Sequence, residues 1–165
     1  PKRERHSLQP LLQECVQNVV GGFSDRELQI ELHGAGDVVI ECDKEWMQEA
    51  LQNILKNACE YSPRQGVVDV RWNDTQMAVT IQITDQGEGI APEELPRIFN
   101  RFYRVHRAKE DGRKPEGVGI GLALAREIIE RQHGTIVAYS SIKQPTYTRF
   151  EIVMMKEGWE NLTKL

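Results

Sequence analysis

Val79-Thr-Ile-Gln-Ile-Thr84 alternates apolar and polar residues and then runs into Asp85-Gln-Gly-Glu-Gly89, an acid followed by two glycines. The alternation predicts a strand with one buried and one wet face, beginning at Met77. Val67-Val-Asp-Val-Arg-Trp72 repeats the pattern, and Asn73-Asp74 lies between the two runs, so they are read as an antiparallel hairpin. Farther out, residues 29–32, 38–40, 135–139 and 149–154 supply further short strands. Apolar residues at 8, 11, 12, 15, 16, 19 and 20 draw a helical stripe that stops at Gly21-Gly22. A long helix is expected from Lys44 to Tyr61, with Asp43 as its N-cap and Pro63 just beyond its end. Another runs from 120 to 132 and stops near Gly134. The expected fold class is an α/β (α+β) two-layer sandwich. It has a mixed, mostly antiparallel sheet of about five strands, covered on one face by about three helices.

Size and composition narrow the function classes. A chain of 165 residues suits one domain with a substantial core, and 39% hydrophobic with 28% charged residues suits a globular fold. No apolar run approaches the ~20 residues of a membrane span, and the charged start Pro1-Lys-Arg-Glu-Arg-His6 does not read as a signal peptide. A net charge of −4 argues against general nucleic-acid or anionic-membrane binding. Cys15, Cys42 and Cys59 share no metal spacing and read as small buried hydrophobes in a reduced, cytoplasmic compartment. Residues 91–116 hold little regular structure, which inside a compact domain predicts a lid or binding loop.

Three segments carry the chemistry. On the long helix Asn53 and Asn57 share one face with Glu49, Glu60 and Tyr61. An amide offers Mg²⁺ an oxygen ligand and phosphate an N–H donor. Two solvated helix asparagines are the bland reading, but Asn is a mediocre helix former and needs a reason to recur. At Asp85-x-Gly87-x-Gly89 the glycines permit positive φ and let a flat ring approach, while a buried carboxylate accepts the exocyclic N–H of adenine. Alone, that motif is often a plain turn. Gly117-Val-Gly-Ile-Gly121-Leu122 opens a helix, whose first N–H groups and dipole favour an anion. No Gly-x4-Gly-Lys-Ser/Thr run occurs, and a charged loop rather than a strand precedes the glycines, against both Walker and Rossmann readings.

Together, these motifs resemble the catalytic ATP-binding domain of bacterial sensor histidine kinases, within the wider family that includes DNA gyrase and MutL, over residues 8–155. The run from Asn53 to Ala58 and the final strands are similar to those of VanS-like sensors. The resemblance implies the Bergerat fold with bound ATP and Mg²⁺. It assigns Asn57 to the metal, Asn53 to the phosphates and Asp85 to adenine, with Thr84 and Ile90 beside it. Catalytic roles are implied for Asn53, Asn57 and Arg104. Nucleotide contacts are implied for these and for Tyr61, Gly87, Gly89, Ile90, Phe102, Gly117, Val118, Gly119, Ile120, Gly121 and Leu122. Ile98-Phe-Asn-Arg-Phe102-Tyr-Arg104 resembles the family's phenylalanine box, with Phe99 and Phe102 expected to anchor the lid. From Arg97 to Lys114 seven Lys/Arg face two acids. That local excess suits screening of a triphosphate, with Arg101 and Arg107 as further candidates; a solvated charged face is the plain alternative. His133 is expected to cap its helix rather than act as an acid or base.

The chain departs from the family pattern at three places. Glu60 stands where a lysine usually meets the terminal phosphates, Glu116 where a small residue is usual, and Tyr147-Thr148-Arg149-Phe150 where a glycine–threonine element is expected.

ATP-hydrolysing relatives carry a glutamate at the position of Asn53, which cannot take a proton from water. Phosphoryl transfer to a protein group therefore fits better, because it needs mainly positioning and charge neutralisation. None of His6, His33, His106 or His133 lies in the acceptor motif. The acceptor is expected on a separate dimerisation domain of the same parent kinase, with a cognate response regulator as partner. The chain is read as residues 1–7 of linker, a domain at 8–156 with its lid at about 91–116, and a tail at 157–165. It is expected to be a monomeric fragment of a homodimeric membrane sensor, with this domain on the cytoplasmic side. The alternatives are an anti-sigma-type serine kinase and a nucleotide-binding interaction module without transfer activity.

Overall fold

The computed structural model describes residues 2–103 and 120–160. Seven strands and three helices form in chain order: β1 Glu4–Ser7, α1 Leu8–Val20, β2 Gln29–His33, β3 Val39–Cys42 and α2 Lys44–Tyr61, then β4 Val67–Asp74, β5 Ala78–Asp85, α3 Gly121–Arg131, β6 Gly134–Ser141 and β7 Tyr147–Met155. Five strands make the main sheet in the order β2-β4-β5-β7-β6. Only the β2–β4 pairing is parallel; the other three are antiparallel. β1 and β3 form a separate antiparallel pair, so residues 4–7, expected as linker, lie in a strand.

Period-2 patterning decides which face is covered. On β5, Val79, Ile81, Ile83 and Asp85 are buried while Thr80, Gln82 and Thr84 are not. On β7, Thr148, Phe150, Ile152 and Met154 point the same way. α2 packs between α1 and α3, and the three helices share one core with this inner face. Met47, Leu51, Ile54 and Leu55 of α2 are fully buried there. The outer face carries a polar ladder, in which Gln82 donates to Glu151 at 2.8 Å.

Asp43 caps α2 as expected, its Oδ1 accepting from the Trp46 N–H at 3.1 Å. Its backbone N–H donates to Gln132 Oε1 at 2.7 Å, tying the start of α2 to the end of α3. At the other end Arg26, only 4% exposed, donates to the carbonyls of Glu60 and Ser62. A cation there meets the negative end of the helix dipole. His133 adopts φ 65°, the left-handed conformation that ends α3 before Gly134. All three cysteines are buried free thiols. Burial pushes Cys15 and Cys42 up to about 12.

The bonds from Trp46 and then Lys2 hold the Asp43 carboxyl below its ordinary value of 3.8. Its contribution to stability is therefore complete at neutral pH and is lost as pH falls through the lowered folded value. The gap in urea midpoint between this chain and Asp43→Ala is expected to be full at pH 7 and to narrow on acidification through the carboxylate range. A gap that stays constant with pH would show that the charge of the cap plays no part.

Candidate nucleotide site

Four elements meet at the C-terminal end of β5. Asp85, the last residue of that strand, is 1% exposed and continues the inward series of Ile81 and Ile83. The sheet pleat therefore aims its carboxylate at the helices rather than at solvent. Its Oδ1 accepts from the Gly87 N–H at 2.9 Å, which fixes the carboxylate plane. Burial first, and then the negative charge of Asp85, push the Cys59 thiol up to about 11.

The two glycines act by different means. A Cβ at Gly87 would stand 2.4 Å from the Tyr61 carbonyl oxygen, at the end of α2. Gly89 has φ +83°, and a Cβ there would stand 2.1 Å from the Ser141 carbonyl oxygen of β6. Backbone thus packs directly on backbone at both positions. Ile90 follows, 7% exposed, with its N–H donating to Ser140 Oγ at 2.7 Å.

Ser140 and Thr148 extend this constellation, and the sequence reading did not assign them to the site. Thr148 is the register partner of Asp85 and is 3% exposed. The Ser140 hydroxyl donates to the Tyr147 carbonyl at 2.7 Å and lies 2.9 Å from Thr148 Oγ1. With that donation made, Ser140 Oγ is the acceptor for the Thr148 hydroxyl as well as for the Ile90 N–H. The threonine of the altered final motif therefore stays beside the carboxylate. The strand register, invisible without the fold, is the signal that finds both residues. Arg149 points to the other face, its Nε donating to Thr84 Oγ1 at 3.0 Å.

On α2, Asn53 and Asn57 are half-buried on the side that meets α3. The Asn53 Nδ2 atom is buried and has no hydrogen-bond partner among the described residues. Its Oδ1 lies 3.5 Å from where a Gly121 Cβ would stand, so the asparagine abuts the first turn of α3. That turn has no side-chain cap: Ile120 at the N-cap is 42% exposed and makes no capping bond. The N–H groups of such a first turn and its dipole end favour an anion. Leu122 is half-buried behind it, and Tyr61 closes the far end of α2.

The structure thus brings together Asn53, Asn57, Tyr61, Asp85, Gly87, Gly89, Ile90, Gly121 and Leu122, with Ile120 at the rim. Arg104, Gly117, Val118 and Gly119 lie outside the described residues, as do Arg107 and Glu116. The described part of the lid corrects one expectation. Phe99 packs edge-on against Phe150 with centroids 6.1 Å apart, beneath the Arg126 guanidinium. Phe102 instead is 70% exposed with φ 66°, so Phe99 is the anchor of the pair. Arg101 sits 3.8 Å from Glu127 of α3.

The donor set fits a magnesium–nucleotide complex. Asn57 offers a hard oxygen and Asn53 a buried N–H donor. Among the described residues the single three-ligand cluster of His, Asp and Glu lies elsewhere. Mg²⁺ is commonly held through one or two protein oxygens plus substrate phosphates, and here it would arrive with the triphosphate.

Comparison with known proteins agrees with this geometry. The model of the histidine kinase-, DNA gyrase B-, and HSP90-like ATPases matches residues 42–157. The sensor histidine kinase CusS of Escherichia coli O157:H7 is 38% identical over 133 residues, covering 78% of this chain and 26% of that protein. The sensor histidine kinase WalK of Bacillus subtilis strain 168 is 34% identical over 123 residues, covering 73% of this chain and 20% of its own length. The chain thus spans less than two fifths of the length of each of these curated relatives, and about a quarter of CusS. Among solved structures, a mycobacterial sensor histidine kinase, MprB, superposes with a TM-score of 0.79 at 25% identity, covering 93% of this chain and 97% of that one. The catalytic domain of histidine kinase ThkA gives 0.78 at 18% identity, covering 94% of this chain and 98% of that one, which speaks for the fold.

The glycine geometry yields a paired expectation. Gly89→Ala meets both a positive φ, costing roughly 1–2 kcal/mol, and the Ser141 carbonyl, so a larger loss in urea denaturation is expected. Gly21 has φ −61° with nothing within 4 Å of its Cβ position. Gly21→Ala is accordingly neutral or stabilising by about 0.4–1 kcal/mol.

Proposed function

This chain belongs to the histidine kinase-, DNA gyrase B- and HSP90-like ATPase family as an ATP-binding catalytic domain of the sensor histidine kinase type, and on that premise we propose that it binds ATP with Mg²⁺ and transfers the γ-phosphate to a histidine on a separate dimerisation domain. The observation that carries this reading is the Asn53 amide, a buried donor with no partner among the described residues, set against the first turn of α3. The end of α2 packs on the turn after Asp85, and Asn53 packs on the start of α3, which supports a nucleotide reading.

In this reading the Asp85 carboxylate accepts the exocyclic N–H of adenine. Guanine would present a carbonyl to a buried acceptor and leave both unpaired, a strong basis for rejection. Thr148, held through Ser140, lies beside the base. Asn53 and the uncapped N–H groups of α3 donate to phosphate oxygens, and Asn57 ligates the metal. The ion, when bound, neutralises phosphate charge. Asn53 has no basicity with which to activate water, so the site favours a protein nucleophile over hydrolysis. Arg104 is proposed to approach the phosphates from the lid. We also assign the acceptor domain to the same parent kinase, a homodimeric sensor in the bacterial plasma membrane that passes its phosphate to a response regulator. Among the described residues no helix is long and apolar enough to cross a membrane.

Calorimetric titration with a non-hydrolysable ATP analogue tests the site. Magnesium-assisted binding is expected, abolished in Asp85→Asn and deprived of its magnesium dependence in Asn57→Ala. An unmutated chain that binds no nucleotide would favour an interaction module.

A second measurement tests the acceptor. Incubation with ATP, Mg²⁺ and a separately produced dimerisation domain of the parent is expected to yield acid-labile phosphohistidine on that domain. Acid-stable phosphoserine on a protein partner would instead indicate a serine kinase.

A further inference from the structure

On the solvent face of the sheet, away from the helices, three ligand-type side chains converge. Glu31 and His33 are two residues apart on β2, and Asp69 is the register partner of Glu31 on β4. The period of two therefore puts all three on one face, the face opposite to buried Val68 and Val70. His33 Nε2 lies 3.3 Å from Glu31 Oε1 and 3.3 Å from Asp69 Oδ1. One ligand atom from each residue falls within 4.8 Å of the other two. β2 is an edge strand of the main sheet, so the cluster is open on one side.

We propose that Glu31, His33 and Asp69 form a binding site for a divalent first-row transition ion, zinc by preference, independent of the nucleotide site. A tetrahedral ion with bonds of ~2.0–2.2 Å sets its ligand atoms roughly 3.3–3.6 Å apart. Both histidine–carboxylate separations already meet that spacing. One imidazole and two carboxylates suit zinc, whereas magnesium and calcium prefer oxygen alone. Three protein ligands leave a fourth position for water, as in open zinc sites. Asp69 is also oriented from behind. Arg71 Nε donates to its Oδ2 at 2.7 Å and leaves Oδ1 turned toward His33, the kind of outer-shell bond that fixes a metal ligand. The buried cysteines face the core and take no part.

The test is zinc titration of the whole chain by calorimetry in chelator-stripped buffer, without nucleotide, beside His33→Ala and Glu31→Gln. One ion per chain is expected, with Kd below about 10 μM. Each substitution is expected to weaken binding by ~10-fold or more. His33 is exposed, so its replacement leaves the fold intact, and circular dichroism checks this. Electrostatic attraction to the two carboxylates alone would leave His33→Ala unchanged. That result, or no binding at micromolar zinc, reduces the cluster to a hydrogen-bonded ion pair and overturns the proposal. ATP-analogue binding by His33→Ala matches the parent chain, because the cluster and Asp85 lie on opposite faces of the sheet.

Discussion

The backbone from Asp85 to Gly89 is confined between two carbonyl oxygens, and the nucleotide site is assembled around that confinement. Tyr61 contributes one from the end of α2 and Ser141 the other from β6. No side chain fits at either contact, so the helix, the strand end and the last hairpin are held at backbone distance. Close-packed interiors transmit such constraints with little slack. Asn57 and Asn53 lie about one and two turns before Tyr61 on the same helix. The close approach at Gly87 thus helps to set their distance from Asp85.

α2 is secured at both ends by unlike means. At its start, Asp43 caps the helix and donates its N–H to Gln132, which is 2% exposed. At its finish, the buried Arg26 guanidinium gathers carbonyls from Glu60 and Ser62. Burying an arginine is costly unless its charge is met, and here the helix terminus meets it. The same arrangement bears on Glu60. Arg26 holds its backbone carbonyl, so a negative side chain in place of the family's lysine stands on a fixed piece of helix.

Most of the layer architecture was legible in the sequence because each element carried a clean period. α1 and α2 span the residues that their apolar stripes and caps predict, and β4 and β5 alternate as a hairpin should. Asp85 was legible for the same reason, since it falls on the inward phase of its strand. What was not legible depends on register between distant strands. Thr148 opposite Asp85, and Ser140 linking it to Ile90, follow only once β5, β7 and β6 are aligned. Arg26 was missed because a charged residue in a short 3₁₀ turn reads as solvated. Phe102 was expected to anchor the lid beside Phe99 because its neighbourhood resembles the family's phenylalanine box. Its backbone turns left-handed there and carries the ring outward.

Asn53 shows how one position joins stability to chemistry. A buried N–H donor without an acceptor costs roughly 1–3 kcal/mol, a defect that replacement by a small apolar residue would remove. A glutamate at the same place, as in the hydrolytic branches of the family, would bring a charge able to activate water. An amide brings no base; its oxygen lies against the first turn of α3, where the helix dipole favours an anion, and its N–H donor is buried without an acceptor among the described residues. The position thus forgoes some folding stability and gives up water activation. On the proposed reading, what it retains is a group to hold a phosphate in place, and positioning is the larger part of what transfer to a protein acceptor requires.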